Sequence, residues 1–265
     1  MSTTRAFSGL RRKLLTFLLT APMAGRAIWA SASNNITCIA KPERTEGPYF
    51  VDHQLNRRDI RLDPVTHLFS PGVPLILSID LLNLAKHSCE PLADATVDVW
   101  HCDAQGVYSG VSDMNTLGKK FLRGYQVSDQ AGRVTFKTIY PGWYSGRAVH
   151  VHFKVRTQNS AGASYEFTSQ LFFDDRLSDA VFQHAPYKRS KPRDTRNTRD
   201  IHYGKEGNQL LLSPIEKADG YHARISVALD LSDDKVGAPD GFSMPLGPDG
   251  RPMPPPPGLR PPQRG

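Results

Sequence analysis

Two histidines one residue apart, His150 and His152, stand inside the apolar run AVHVHFKV from Ala148 to Val155. A strand turns alternate side chains to one face, so the two imidazoles share a face about 6.7 Å apart along the backbone. Val149, Val151 and Phe153 then face the other way, toward apolar packing. Two imidazoles converging from one face make a natural pair of metal ligands. The same spacing also arises on a half-buried strand whose polar face carries two histidines, so the pair alone does not decide the matter.

Further donors must come from elsewhere in the chain. No carboxylate lies between Phe153 and Ser160, so the cupin pattern of His-x-His followed by Glu is missing. A two-histidine, one-carboxylate ferrous site would need a distant acid such as Asp174 or Asp175. Tyrosines are the better candidates. Tyr144 follows the Pro141-Gly142 turn, and Tyr108 follows the turn DAQG at the end of another strand. Phenolate is a hard anionic donor that suits Fe(III) far better than Zn(II) or Cu(I). For either tyrosine alone, an aromatic in a loop is the simpler explanation. The three cysteines, Cys38, Cys89 and Cys102, lie far apart without a CxxC pair, which argues against a zinc site. In an oxidising compartment they imply one disulfide and one free thiol, with the pairing open.

The elements that must carry these residues are short strands. Candidates are Val73–Leu82, Ala95–Cys102, Gly124–Asp129, Arg133–Ile139, Ala148–Val155, Tyr165–Phe173, Gln209–Ser213 and His222–Leu231. Several alternate apolar and polar residues and are rich in β-branched and aromatic side chains. Asp129-Gln-Ala-Gly132 and Ala218-Asp-Gly220 supply turns. Leu177–Gln183 is the one helical piece. About eight strands with long loops and little helix predict an all-β chain, an antiparallel β-sandwich. The basic stretch Tyr187–Arg199 reads as an exposed loop, or as an electropositive rim that attracts carboxylated substrates.

The two ends differ from this middle. Residues 1–32 carry Arg5, Arg11, Arg12, Lys13 and Arg26 and no acid, and the rest of the chain holds 28 basic against 26 acidic residues. Most of the formal charge of +7 therefore sits in the first segment and gives no ground for nucleic-acid binding. Basic residues, the apolar run Leu14–Gly25 and the small residues Ala30–Ala32 form an export signal, too short for a membrane span. Arg11-Arg12 also resembles a twin-arginine signal, although Leu10 stands where Ser or Thr is preferred. Residues 237–265 contain ten of the 21 prolines and read as a disordered or polyproline tail. One domain over 33–236 remains, in a periplasmic or extracellular protein.

Five motifs occur in order: TEGPYF (Thr45–Phe50), VDVWHCDAQGVYSG (Val97–Gly110), FLRGYQ (Phe121–Gln126), TIYPGWYSGRAVHVHFKV (Thr138–Val155) and TSQLFFDD (Thr168–Asp175). With them the chain resembles the intradiol ring-cleavage dioxygenases, most of all the protocatechuate 3,4-dioxygenase β-type and its secreted relatives. The likeness runs from about Cys38 to Asp230. It implies a ferric site with Tyr108 and His150 as equatorial ligands and Tyr144 and His152 as axial ones. It implies a substrate-facing Arg147, a pocket Gln170, and a proton-accepting role for Tyr144 as it leaves the metal. The implied reaction joins a small aromatic diol and O2 into a muconate-type diacid. It leaves a homo- or hetero-oligomer open, because the protocatechuate enzyme pairs two different subunits. His101 is expected to be structural, and Tyr49 to line the pocket mouth or to pack. Strict alternation sets Arg147 opposite His150, so its role requires irregular backbone at Gly146-Arg147-Ala148. The rival reading is a catalytically inactive secreted binding module on the same scaffold, which would not need all four ligand positions.

Overall fold

The computed structural model describes residues 39–85 and 88–233. The export segment, Cys38 and the Pro-rich tail lie outside the described residues. Among the described residues, ten strands form two five-stranded sheets. One sheet holds β1 (Pro74–Ala85), β2 (Ser88–Pro91), β5 (Arg133–Ile139), β9 (Ile215–Lys217) and β10 (Gly220–Leu229). The other has the order β4-β3-β6-β7-β8, from β3 (Thr96–Trp100), β4 (Arg123–Val127), β6 (His150–Gln158), β7 (Ser164–Phe173) and β8 (Leu211–Leu212). A single α-helix is described, α1 (Asp175–Val181), and the side chain of Asp174 caps it by accepting the amides of Arg176 and Leu177.

The chain is all-β, as its alternation predicts, but the pairing is mixed. β1 pairs β10 in parallel, and β7 pairs β8 in parallel. Parallel neighbours need long connections, and β1 and β10 stand at opposite ends of the folded chain, so the intervening strands serve as that connection. Two edge strands, β2 and β9, are absent from the sequence expectation. Both are short and largely exposed, so neither has an apolar alternation to read.

Leu75, Leu77, Ile79 and Leu81 of β1 and Val151, Phe153 and Val155 of β6 belong to one buried cluster. Truncating a residue such as Phe153 to Ala would cost about 3–5 kcal/mol. β6 lies between β3 and β7, and its other face is buried too: His150 and His152 are each 2% exposed. A half-buried strand with a wet histidine face is thus not what forms. Register sets Trp100 of β3, His152 of β6 and Gln170 of β7 side by side. Side chains directly opposite across a sheet share a face, so these three form one row.

The stretch Tyr187–Arg199 departs from the expected exposed loop. Tyr187, Arg193, Thr195 and Asn197 are buried between exposed neighbours. Arg193 pairs with Asp175 at 2.5 Å and Asp179 at 3.0 Å, which lets a cation sit inside the fold.

Candidate metal centre

Two loops and one strand bring the candidate residues together. Tyr108 follows the turn at Asp103–Gly106, where the Asp103 carboxylate accepts the amides of Gln105 and Val107 at 2.8 and 2.9 Å. Tyr144 follows Pro141-Gly142, and the Gly142 amide donates to the Asp103 carbonyl at 3.1 Å. A Cβ on Gly142 would collide with the carbonyls of Asp103 and Ala104. Only glycine lets these two loops dock this closely. Gly146 then takes a left-handed φ of +84°, and β6 begins only at His150. Arg147 is therefore outside the strand ladder, and the alternation that would turn it away from the histidines does not apply.

The result is a tight cluster. The hydroxyls of Tyr108 and Tyr144 each lie 3.3 Å from His150 Nε2. His152 Nε2 lies 3.0 Å from the same nitrogen. His150 Nδ1 is 2.7 Å from the Ala148 carbonyl. A carbonyl only accepts, so Nδ1 carries the proton and Nε2 presents its lone pair to the cluster. Burial holds both imidazoles well below the usual histidine range, so they are in the neutral, ligand form. Burial also raises both phenols, and for Tyr108 the adjacent Tyr144 adds to it. At 3.0–3.3 Å from His150 Nε2 these donor atoms are close enough to share one ion, whose bonds to nitrogen and oxygen would run about 2.0–2.2 Å. Two oxygen donors that ionise only beside a cation, with two neutral nitrogens, suit a hard trivalent ion.

Arg147 flanks this cluster. Its Nη1 points to the Tyr144 hydroxyl at 3.5 Å, its Nε donates to Asp200 at 2.9 Å, and its Nη2 donates to Gln170 Oε1. Burial opposes its charge, yet Tyr144 and Asp200 raise its pKa above the ordinary guanidinium value. Gln170 donates from its own Nε2 to the Thr45 carbonyl at 2.8 Å. Both ends of its amide are thereby fixed.

The other sequence candidates separate clearly. His101 is buried, with Nδ1 2.8 Å from the Cys102 carbonyl and Nε2 2.6 Å from the Thr138 hydroxyl, so both nitrogens are spent on structure. Asp174 caps α1 and Asp175 binds Arg193, so neither carboxylate serves the histidine pair. No group of three or more His, Cys, Asp or Glu side chains among the described residues is placed to hold a metal. The phenols are what distinguish this cluster. Cys89 is in a disulfide and Cys102 is a buried free thiol.

Three contacts have no signal in the sequence pattern, and a fourth gives Tyr49 the packing role the sequence left open. Asp200 anchors Arg147 from 53 residues away. Trp100 stacks on His152 with centroids 4.9 Å apart and planes 8° apart. Arg123, buried, lies 5.8 Å from the Tyr108 ring centre and donates to the Ser109 carbonyl. The chain from Pro42 to Tyr49 crosses the site: Gly47 faces His152, and Tyr49 stacks on Tyr108 at 4.6 Å.

Comparison with known proteins gives this geometry its relatives. A family model described as dioxygenase matches residues 45–198. A chlorocatechol 1,2-dioxygenase of Pseudomonas sp. (strain P51) is 31% identical over 102 residues, covering 32% of this chain and 38% of that protein. The chain thus spans less than half the length of the curated relatives it matches. An intradiol ring-cleavage dioxygenase from Tetranychus urticae superposes with a TM-score of 0.64 at 27% identity, covering 74% of this chain and 96% of that one. The dioxygenase domain of a dioxygenase carbohydrate-binding protein fusion from Streptomyces sp. SirexAA-E gives 0.53 at 27% identity, over 72% of this chain and 99% of that one. The family model takes in the stretch that holds both tyrosines and both histidines, and on that match the chain belongs to the intradiol ring-cleavage dioxygenase family.

Proposed function

We propose that this protein is a non-haem ferric dioxygenase that inserts O2 between the two hydroxyl-bearing carbons of a catechol-type aromatic, giving a muconate-type diacid. The observation that carries this reading is the meeting of Tyr108, Tyr144 and His152 on His150 Nε2, at 3.3, 3.3 and 3.0 Å. Fe(III) held by these four residues would act as a Lewis acid that polarises a bound diol toward O2.

The chain's own residues do the rest. Tyr108 is fully buried and closed in by Tyr49, so it stays a fixed donor. Tyr144 is half-buried beside Arg147, and its phenolate oxygen is the group placed to take a proton from the incoming diol. Arg147, pinned by Asp200 and Gln170, presents a fixed cation where negative charge develops on the substrate ring. The neutral imidazoles of His150 and His152 hold position without exchanging protons with the substrate.

The names of the chlorocatechol 1,2-dioxygenase relatives support a catechol-type substrate, whether catechol, protocatechuate or a lignin-derived diol. The disulfide at Cys89 supports an exported protein working in an oxidising compartment. Its mature domain is 33–236, after removal of 1–32. No helix among the described residues is long and apolar enough to cross a membrane.

Oxygen uptake by iron-loaded protein against a panel of catechols, with product identification, tests the proposal. A muconate-type diacid is the expected product. A ring-opened semialdehyde from cleavage beside the diol, or no uptake by loaded protein, overturns it. Tyrosinate-to-iron charge transfer should colour the loaded protein burgundy. Protein that stays colourless with added iron would favour a binding module.

A further inference from the structure

The basic stretch from Tyr187 supplies no donor to the tyrosine–histidine cluster, yet it is built around a space of its own. Together with Trp143 and Phe182 it walls a cavity of about 250 Å³. That is below the roughly 300–1,000 Å³ usual for drug-sized ligands, so a single ring suits it. Its walls combine aromatic surface with cations. Trp143 is half-buried, and the half-buried Phe182 stacks on Tyr187 with centroids 5.6 Å apart. Lys188, Arg189 and Lys191 supply the cations. The Arg189 guanidinium lies 4.5 Å from the Trp143 ring centre, and its Nη2 donates to the Trp143 carbonyl at 2.9 Å.

The charges are unevenly matched. Asp179, the acid in the wall, is already shared by Arg193 at 3.0 Å and Arg196 at 2.5 Å. Among the described residues no carboxylate forms an ion pair with Lys188, Arg189 or Lys191. Arg189 is half-buried, and Asp103 acts on it without forming an ion pair and is itself taken up by the amides of Gln105 and Val107, so the desolvated guanidinium still favours an added anion. Aromatic rings beside it favour a ligand with an apolar, planar body.

We propose that this cavity is a binding site for a small aromatic carboxylate, with its anion on Lys188, Arg189 and Lys191 and its ring against Trp143 and Phe182. The site is separate from the tyrosine–histidine cluster, since none of Tyr108, Tyr144, His150 and His152 lines it. It therefore stands whether or not the protein cleaves catechols. The two sites touch at one peptide, where Trp143 walls the cavity and Tyr144 enters the cluster.

Isothermal titration of the full chain with benzoate tests the assignment. Benzoate carries the ring and the anion but lacks the paired hydroxyls of a catechol. Lys188 and Lys191 are exposed, so the double variant K188A/K191A should fold normally. Saturable binding by the wild type is expected, about tenfold weaker in K188A/K191A and unchanged in H150A. Added NaCl should weaken it, because exposed charges are screened. No saturable binding by the wild type, or any pattern other than weakening in K188A/K191A with retention in H150A, overturns the proposal.

Discussion

Arg147 and Asp200 form an ion pair at 2.9 Å in which the two side chains are only 5% and 0% exposed. The same Asp200 oxygen accepts the Ala148 amide at 2.7 Å. One carboxylate thus fixes both the cation beside the cluster and the backbone that leads into β6. Asp200→Asn removes the charge and leaves the guanidinium buried without it. Breaking such a pair costs about 3–5 kcal/mol. Denaturant unfolding should show that loss, and turnover should fall with it. Wild-type stability in this variant would mean that Arg147 does not depend on Asp200.

Arg147→Ala should retain iron and colour while ring cleavage slows. Fixed donors aimed at developing charge are worth about 10²–10³ in turnover, and a loss in that range is expected at unchanged iron content. Equal rates in the variant and the wild type would remove Arg147 from catalysis.

Tyr108→Phe and His150→Ala each delete one donor of the cluster. Both should lose most of the bound iron, read by elemental analysis, together with the visible charge-transfer band. Full iron and full turnover in both variants would mean that the metal binds elsewhere.

His101 makes stability depend on pH. Its Nδ1 donates to the Cys102 carbonyl and its Nε2 accepts from Thr138, so the buried ring is neutral. Burial holds its pKa at about 4, against about 6.5 in an unfolded chain. Between these values the unfolded chain binds a proton that the folded chain refuses. Stability from this residue is therefore complete above about pH 6.5 and is lost as the pH falls toward 4, by about 3 kcal/mol at most. His202, lowered to about 4 chiefly by burial and then by Arg147, acts in the same direction. Unfolding free energies measured across this window should decline steadily with acid. A flat profile contradicts the assignment.

The strands near the site were legible because their pattern is local. Val149, Val151 and Phe153 alternate with the two histidines, and that alternation sets both the face and the burial of β6. Tyr108 and Tyr144 were legible through the motifs around them. Asp200 was not, because it lies in a polar run whose burial comes from pairing with Arg147, and charge pairs leave no apolar signature. Arg193 illustrates the same blindness: a basic loop looks solvated until Asp175 and Asp179 close on it. Trp100 carries no mark of its own in the sequence, and only cross-strand register shows that it faces His152. β2 and β9, at four and three residues, are too short to carry a period.

The passage from Pro42 to Tyr49 contains no residue of the ten strands, yet it forms the roof of the cluster. It is tied down piecemeal, through the Pro42 carbonyl to Ser169, the Arg44 amide to Thr168, the Thr45 carbonyl to Gln170 and Glu46 to Lys154. Donor atoms belong to the sandwich, while the surface above them belongs to a strap that adds nothing to either ladder. Selection or engineering can therefore reshape what lies above the donor atoms without redesigning the scaffold beneath.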